Sequence, residues 1–297
     1  MHALPERDPV TGYARLRDIV AAAGQLIVAY SGGVDSALLA YAAHDVLGDK
    51  AVAVTAVSAS LSVTERRAAR AFAEEHGIAH VEVATDELDR EEYARNDGSR
   101  CFWCKTALFE AIEPIRVLSG AQVALGTNLN DLGEHRAGLA AARALAALAP
   151  LVDARLDKRL VREISASLGL RTADKPAQPC LASRVAYGDR VIPELLARID
   201  AAEQVVRSLG VEVVRVRAHA DGTVARIEVE PAYVSTVLAH RTEIDRAVRM
   251  CGFTFCALDL GGFGSGRLTE LLTVRARSSA PATNAATPTE TAGSRRS

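Results

Sequence analysis

The stretch "AYSGGVDSALLAY", Ala29 to Tyr41, constrains the fold more than any other part of the chain. An apolar run, Leu26 to Tyr30, ends at two adjacent glycines, and from Ala37 to Val46 apolar side chains recur at helical spacing. The pattern predicts a strand that passes through a tight turn into a helix. Such a turn presents unpaired N–H groups at the positive end of the helix, and glycines let a phosphate approach the backbone. Ser31 and Ser36 add hydroxyl donors. A Walker A loop would end in Gly-Lys-Ser/Thr and a dinucleotide fingerprint would carry a third spaced glycine; neither is present. A plain connection capped by Asp or Ser explains one polar residue, whereas this turn has three and two glycines.

Further apolar runs, "AVAVTAV", "HVEVA" and "QVALG", alternate with helical stretches around Ala37–Leu47, Ser62–His76 and Cys104–Val117. This alternation predicts an α/β fold, a doubly wound parallel sheet with helices on both faces. Ligands of such sheets sit at the carboxyl ends of the strands, near a reversal of strand order. "SGG", "SAS" and "GTN", the last with Gly126 and Asn128, should therefore face one cleft. The expected organisation is an N-terminal segment over 1–23, an ATP-binding domain over 24–170 and a cysteine-bearing linker loop over 171–190. A smaller α+β domain over 191–276 and a disordered tail over 277–297 follow. Within that α+β domain a helix over Ile192–Leu209, strands at "VEVVRVR" and "VARIEVE", a helix over Tyr233–Met250 and a strand at "FTFCALDL" are predicted.

Lys and Arg total 35 against 37 Asp and Glu, a balance that disfavours a polynucleotide or an anionic membrane as partner. The first residues lack a signal-peptide pattern and no apolar run is long enough to span a bilayer, so a cytoplasmic location is expected. In a reducing compartment the five cysteines point to metal or thiol chemistry, not to a disulfide framework. "RCFWCK" sets Cys101 and Cys104 just before a helix, where lowered thiol pKa values are expected, and Cys180 lies in the linker. Three thiolates suit an iron–sulfur cluster with one open iron. A zinc site completed by His76 or His135 and a thioredoxin-type pair are the alternatives, though the second leaves Cys180 unexplained. Cys251 and Cys256 read as small core residues. Arg215 and Arg217 alternate on one strand face, which suits either a substrate phosphate or solvent. Asp35 and Asp131 are oxygen donors suited to Mg²⁺ or helix caps.

Ser31, Gly32, Gly33, Asp35 and Ser36 resemble the SGGxDS signature of the PP-loop ATP pyrophosphatases. With "RCFWCK", "GTNLNDLGEHRAGLAAA", "PCLASRVAYG", "RSLGVEVVRVR", "ARIEVE" and "LDLGGFGSGRL", the chain from about Gly24 to Leu271 resembles the LarE family of sulfur transferases. The resemblance implies ATP-dependent adenylation of a carboxylate on pyridinium-3,5-biscarboxylic acid mononucleotide, then sulfur delivery to form a thiocarboxylate of the nickel-pincer cofactor. It implies that Ser31, Gly32, Gly33, Asp35, Ser36, Gly126 and Asn128 meet ATP and Mg²⁺, and that Arg184, Arg215, Arg217, Glu203 and Glu228 meet substrate. Members of the family either sacrifice one linker cysteine or hold a four-iron four-sulfur cluster. Cys101, Cys104 and Cys180 resemble the second kind, with sulfide or a sulfur-donor protein as source and a homo-oligomer, commonly a hexamer, as assembly. A tRNA thiolase would need a basic surface, and a non-catalytic universal-stress-type module would carry its glycines after the fourth strand.

Overall fold

A computed structural model describes residues 8–133 and 146–264. His135, the second half of "GTNLNDLGEHRAGLAAA", the end of "LDLGGFGSGRL" and the tail over 277–297 lie outside the described residues.

Four strands, β1 (Leu26–Ala29), β2 (Ala51–Val57), β3 (His80–Ala84) and β4 (Gln122–Leu125), form one parallel sheet in the order β3-β2-β1-β4. Because side chains alternate along a strand, β1 serves both faces. Leu26 and Val28 join the core that holds α1 (Pro9–Ala23), α2 (Val34–Leu47) and α3 (Val63–Glu75). Ile27 and Ala29 join the opposite core with Leu108, Phe109 and Ile112 of α5 (Arg100–Ser119), which follows the short α4 (Glu91–Ala94). Both faces of the sheet are thus covered by helices, as the run of buried β1 residues requires. Beyond β4 come α6 (Pro150–Asp153) and α7 (Lys158–Ser167), the latter packed on α1 and α2.

The second sheet has the order β5-β6-β7, with β5 (Val214–His219) antiparallel to β6 (Val224–Val229) and β7 (Phe255–Leu258) parallel to β6. A separate core joins this sheet to α8 (Pro193–Arg207) and α10 (Arg241–Met250), with the short α9 (Val234–Ala239) before it. Where one helix was expected over Tyr233–Met250 there are two, broken at His240. Among the described residues no helix is long and apolar enough to cross a membrane.

One boundary changes the chemistry. The cysteine pair was expected just before its helix, but both cysteines lie within it. The Asp97 carboxylate accepts from the Ser99 N–H at 2.8 Å and from the Ser99 hydroxyl at 2.6 Å, a turn that starts the helix at Arg100.

The glycine after β4 shows how tightly the sheet end meets α2. A Cβ on Gly126 would lie 2.8 Å from the Ser36 nitrogen and 3.0 Å from its Cα, both backbone atoms unable to swing away. Gly126→Ala should cost about 1–3 kcal/mol in urea unfolding. Gly98→Ala, where nothing lies within 4 Å, should change stability by less than about 0.5 kcal/mol. Equal losses from the two would show that the contact at Gly126 relaxes freely.

Candidate active site

The strand order turns at β1, which has β2 on one side and β4 on the other, so the turns after β1 and β4 flank the reversal point. Gly33 occupies the N-cap position of α2 and no side chain caps that helix. The first N–H groups of α2 therefore face the turn without a side-chain partner at the cap. Around them, the Ser36 hydroxyl accepts from the Ser31 N–H at 3.2 Å and donates to the Gly33 carbonyl at 3.1 Å. Gly32 has φ +72°, and a Cβ there would also press on Ala69 at 3.0 Å. Gly33 differs: its φ of −79° suits any residue, and an added Cβ would meet only the Ser31 hydroxyl at 3.6 Å. A larger residue at Gly33 would therefore fill the open turn without straining it.

Asp35 is not a cap. Its carboxylate accepts from the Asn128 side-chain amide at 3.0 Å and pairs with the Lys158 ammonium. The Asn128 N–H in turn donates to Asp131 at 3.0 Å, so Asn128 links the two acids expected to meet Mg²⁺. Among the described residues, no three His, Cys, Asp or Glu side chains converge closely enough to hold a single metal ion.

The loop that carries Cys180 runs from this turn toward the second sheet, and its carbonyls are bonded by buried cations. The Lys175 ammonium donates to the Gly32 carbonyl at 2.8 Å and pairs with Glu65 at 2.8 Å. Arg215 donates to the Ala177 carbonyl at 2.7 Å. Arg184 bonds the Pro179 carbonyl and the Cys180 carbonyl, the latter at 3.2 Å. Arg217 reaches the Ser183 carbonyl at 3.0 Å. On the other side, Arg100 bonds the Ala182 carbonyl at 2.8 Å and the Asn96 side chain, and Asn96 donates to the carbonyls of Ala186 at 2.8 Å and Asp189 at 3.0 Å. The Leu181 N–H closes the loop onto the Ser60 carbonyl of "SAS" at 2.8 Å.

Through this clip the cysteine pair and the distant third cysteine come into one electrostatic neighbourhood. Cys101 and Cys180 are exposed and Cys104 is half-buried. Burial first, then the neighbouring Cys180, pushes the Cys104 thiol up to about 12, so the lowered value expected for it is corrected. It lies too deep in the helix for the N-terminal dipole to prevail over desolvation. Two buried residues also reach this neighbourhood. Glu87 accepts from the Ser60 hydroxyl at 3.0 Å, and Tyr93, raised by burial and then by Cys180 and Cys104, has no hydrogen-bond partner for its hydroxyl among the described residues.

On the second sheet the arginines face inward, not solvent. Arg184 bonds Glu203 at 2.9 Å and Arg207 bonds the other oxygen of Glu203 at 2.8 Å. Burial works to raise Glu203, but Arg184 and its other arginine neighbours hold it below the usual carboxylate range. Arg217 bonds Glu228 at 3.0 Å, and Arg226 pairs with Glu228 at 3.0 Å and with Asp259. Among the described residues Arg215 makes no carboxylate bond; burial, then the neighbouring Arg184, lowers it to about 10.

A family model described as NAD synthase matches residues 13–97, the segment holding β1, the glycine turn and β2. The chain is 40% identical over 261 residues to an uncharacterized protein of Synechocystis, covering 87% of this chain and 97% of that one. It is 36% identical over 251 residues to the pyridinium-3,5-bisthiocarboxylic acid mononucleotide synthase of Lactiplantibacillus plantarum, covering 84% of this chain and 90% of the relative. The chain belongs to the LarE family. A Methanocaldococcus jannaschii protein, also uncharacterized, is 25% identical over 237 residues.

In this LarE chain, Cys251 and Cys256 lie apart from the clip, half-buried against the second core, where burial and then Asp245 push Cys256 up to about 11. His76 stacks on Phe72 with ring centroids 4.5 Å apart, at the end of α3. Sequence reasoning missed Lys158, Lys175, Asn96, Arg100, Glu87 and Tyr93. Of these, Asn96, Arg100 and Lys175 were open to notice, because each lies within five residues of a cysteine already singled out. Arg100→Met leaves the buried Asn96 side-chain oxygen without its donor and the Ala182 carbonyl with the Val185 N–H alone, and should cost about 2–3 kcal/mol, with faster amide exchange at Val185 and Ala186. Arg190→Met removes only an exposed pair with Glu91 and should cost under about 1 kcal/mol. If the two cost the same, Arg100 does not hold the cysteine loop.

Proposed function

We propose that the chain is an ATP-dependent sulfur transferase that acts on pyridinium-3,5-biscarboxylic acid mononucleotide. A substrate carboxylate attacks the α-phosphorus of ATP and pyrophosphate leaves. Sulfur then attacks the acyl carbon, and AMP departs with the carboxylate oxygen, leaving a thiocarboxylate. The observation that carries this reading is that one loop segment, Lys175 to Ser183, bonds the glycine turn through Lys175 and the arginine cluster through Ala177, Cys180 and Ser183, and itself carries Cys180. The printed name of the Lactiplantibacillus plantarum relative, a synthase of the bisthiocarboxylic mononucleotide, supports the same product.

Each part has a role. The uncapped start of α2, with Ser31, Gly32, Gly33 and Ser36, receives the phosphates, and Gly126 and Asn128 complete the nucleotide side. Asp35 and Asp131 are the oxygen donors offered to Mg²⁺, with Lys158 neutralising Asp35 meanwhile. Around the second sheet the guanidiniums of Arg184, Arg207, Arg215, Arg217 and Arg226 face the carboxylates of Glu203, Glu228 and Asp259. That positive surplus favours a phosphate dianion, the substrate's own. Cys101, Cys104 and Cys180 are a donor set that fits an iron–sulfur cluster, with the buried Arg100 guanidinium beside Cys180 and Cys101 to offset its negative charge. A four-iron four-sulfur cluster held by these three thiolates would supply a place for sulfide. The near balance of charge supports a small-molecule nucleotide over tRNA. The proposal includes the division at 24–170, 171–190 and 191–276 and a cytoplasmic homo-oligomer, for which the exposed Phe255 on edge strand β7 offers an apolar contact.

Pyrophosphate release from ATP, measured with the biscarboxylate mononucleotide and sulfide, tests the reading. Asp35→Ala should lower it at least about a hundredfold. Arg215→Ala should raise the KM for the mononucleotide about tenfold or more and that for ATP by less than about twofold. Equal effects on both substrates would give Arg215 a structural role only.

Iron and sulfide quantification after anaerobic purification, with mass spectrometry after turnover, tests the sulfur source. Single Ala substitutions at Cys101, Cys104 and Cys180 should each lose iron, visible absorbance and activity together, whereas Cys251→Ala and Cys256→Ala should keep all three. An iron-free chain made lighter by one hydrogen sulfide at Cys180, with one product per protomer, would replace the cluster with a sacrificial cysteine.

A further inference from the structure

The glycine turn lacks the lysine that a Walker A loop carries within itself, yet a triphosphate needs cationic charge beside its β- and γ-phosphates. The fold brings lysines to this turn from far along the chain. Lys158 is committed to Asp35, an ion pair with a residue of the turn itself. Lys175 is committed differently. Its side chain spans 143 residues of sequence to reach the Gly32 carbonyl at 2.8 Å, and its partner, Glu65, comes from the first turn of α3 at 2.8 Å.

Three features of this contact point the same way. The ammonium has three N–H donors, and among the described residues one hydrogen bond and one ion pair engage it. The acceptor is a carbonyl of the glycine turn, so the ammonium sits within one hydrogen bond of the backbone that the phosphates are proposed to approach. Glu65 is a carboxylate whose side chain is 17% exposed, and a phosphate oxygen arriving at the turn would compete with it for the same cation.

We infer that Lys175 is the phosphate-binding cation of the nucleotide site. It trades its Glu65 ion pair for the β- and γ-phosphates of ATP and for the leaving pyrophosphate. The inference rests on the ATP-dependent reading above and adds to it a residue, a class of contact and a competing anion. Because Cys180 lies five residues further along the same strand of loop, the exchange occurs on the segment that also carries the sulfur chemistry. No bond is made or broken in the exchange; one ion pair replaces another.

The test is binding of inorganic pyrophosphate, ATP and AMP to the full chain by isothermal titration calorimetry in the presence of Mg²⁺. Lys175→Met should weaken pyrophosphate and ATP by roughly ten- to a hundredfold and leave AMP, which lacks the β- and γ-phosphates, within about twofold. Lys175→Arg should recover part of the loss. Glu65→Gln should tighten pyrophosphate, because the competing anion is gone while the cation stays. A merely structural Lys175–Glu65 pair would instead make both single variants weaken all three ligands alike, and that outcome overturns the inference. So does a Lys175→Met chain that binds pyrophosphate as the wild type does, or a wild-type chain that binds none. A wild-type chain that binds pyrophosphate through Lys175 but forms no thiocarboxylate leaves this inference standing and removes the proposed function instead.

Discussion

The bonds from buried guanidiniums to backbone carbonyls between Ala177 and Ser183 hold this molecule's chemistry together. The segment satisfies part of its own carbonyls, the Ser183 N–H reaching Cys180 at 3.0 Å and the Val185 N–H reaching Ala182 at 3.2 Å, and burying the others unpaired would be costly. Here Arg215, Arg184, Arg100 and Arg217 supply the donors, from elements as far apart as α5 and β5. A guanidinium carries five N–H groups in a fixed plane, so it can bond a carbonyl and still meet a carboxylate. Arg184 does this with Cys180 and Glu203, and Arg217 with Ser183 and Glu228. These bonds hold the extended part of the loop and the short 3₁₀ turn at Leu181–Arg184 that ends it.

The same arrangement leaves charge in reserve. Arg215 is buried among Arg184, Arg217 and Arg207, with Glu203 as an opposing charge, and among the described residues its hydrogen bonds go to carbonyls; burial first, then Arg184, makes its proton less tightly held than usual. Such a group becomes better placed when an anion arrives. Lys175 is in the converse state, already paired with Glu65 beside the glycine turn. A phosphate on the second sheet and a triphosphate on the first would both draw on donors that now hold this loop, so the two proposed ligands compete with contacts of a single segment. That links nucleotide side and substrate side physically, through hydrogen bonds at the two ends of a stretch of nine residues, 175–183.

Much of the fold was legible because it rests on local signals. The four runs became β1 to β4: β1, covered on both faces, is buried throughout, whereas β3 at the sheet edge keeps only the strand pattern of its residues. The glycine turn was legible for the same kind of reason: φ near +70° at Gly32 and the close approach at Gly126 exclude a side chain at both positions. The start of α5 was misjudged because a turn built by Asp97 and Ser99 competes with the helix pattern that begins in earnest only at Cys104. The expected lowering of the Cys104 thiol failed because proximity to a helix start is visible in sequence, whereas depth of burial is not.

By itself, the sequence determined the layered α/β plan, the glycine turn and the three cysteines worth weighing, because spacing, glycine and residue type act over a few neighbouring positions. Only the tertiary structure decided that Asp35 meets Lys158 and not the helix cap, that Arg215 and Arg217 face a loop and not solvent, and that Asn96 and Arg100 join Cys180 to Cys101 and Cys104. Those contacts join residues roughly 30 to 140 positions apart. No local pattern records them, since hydrogen-bond partners for a buried cation are chosen by which carbonyls the packed sheets and helices leave without a donor.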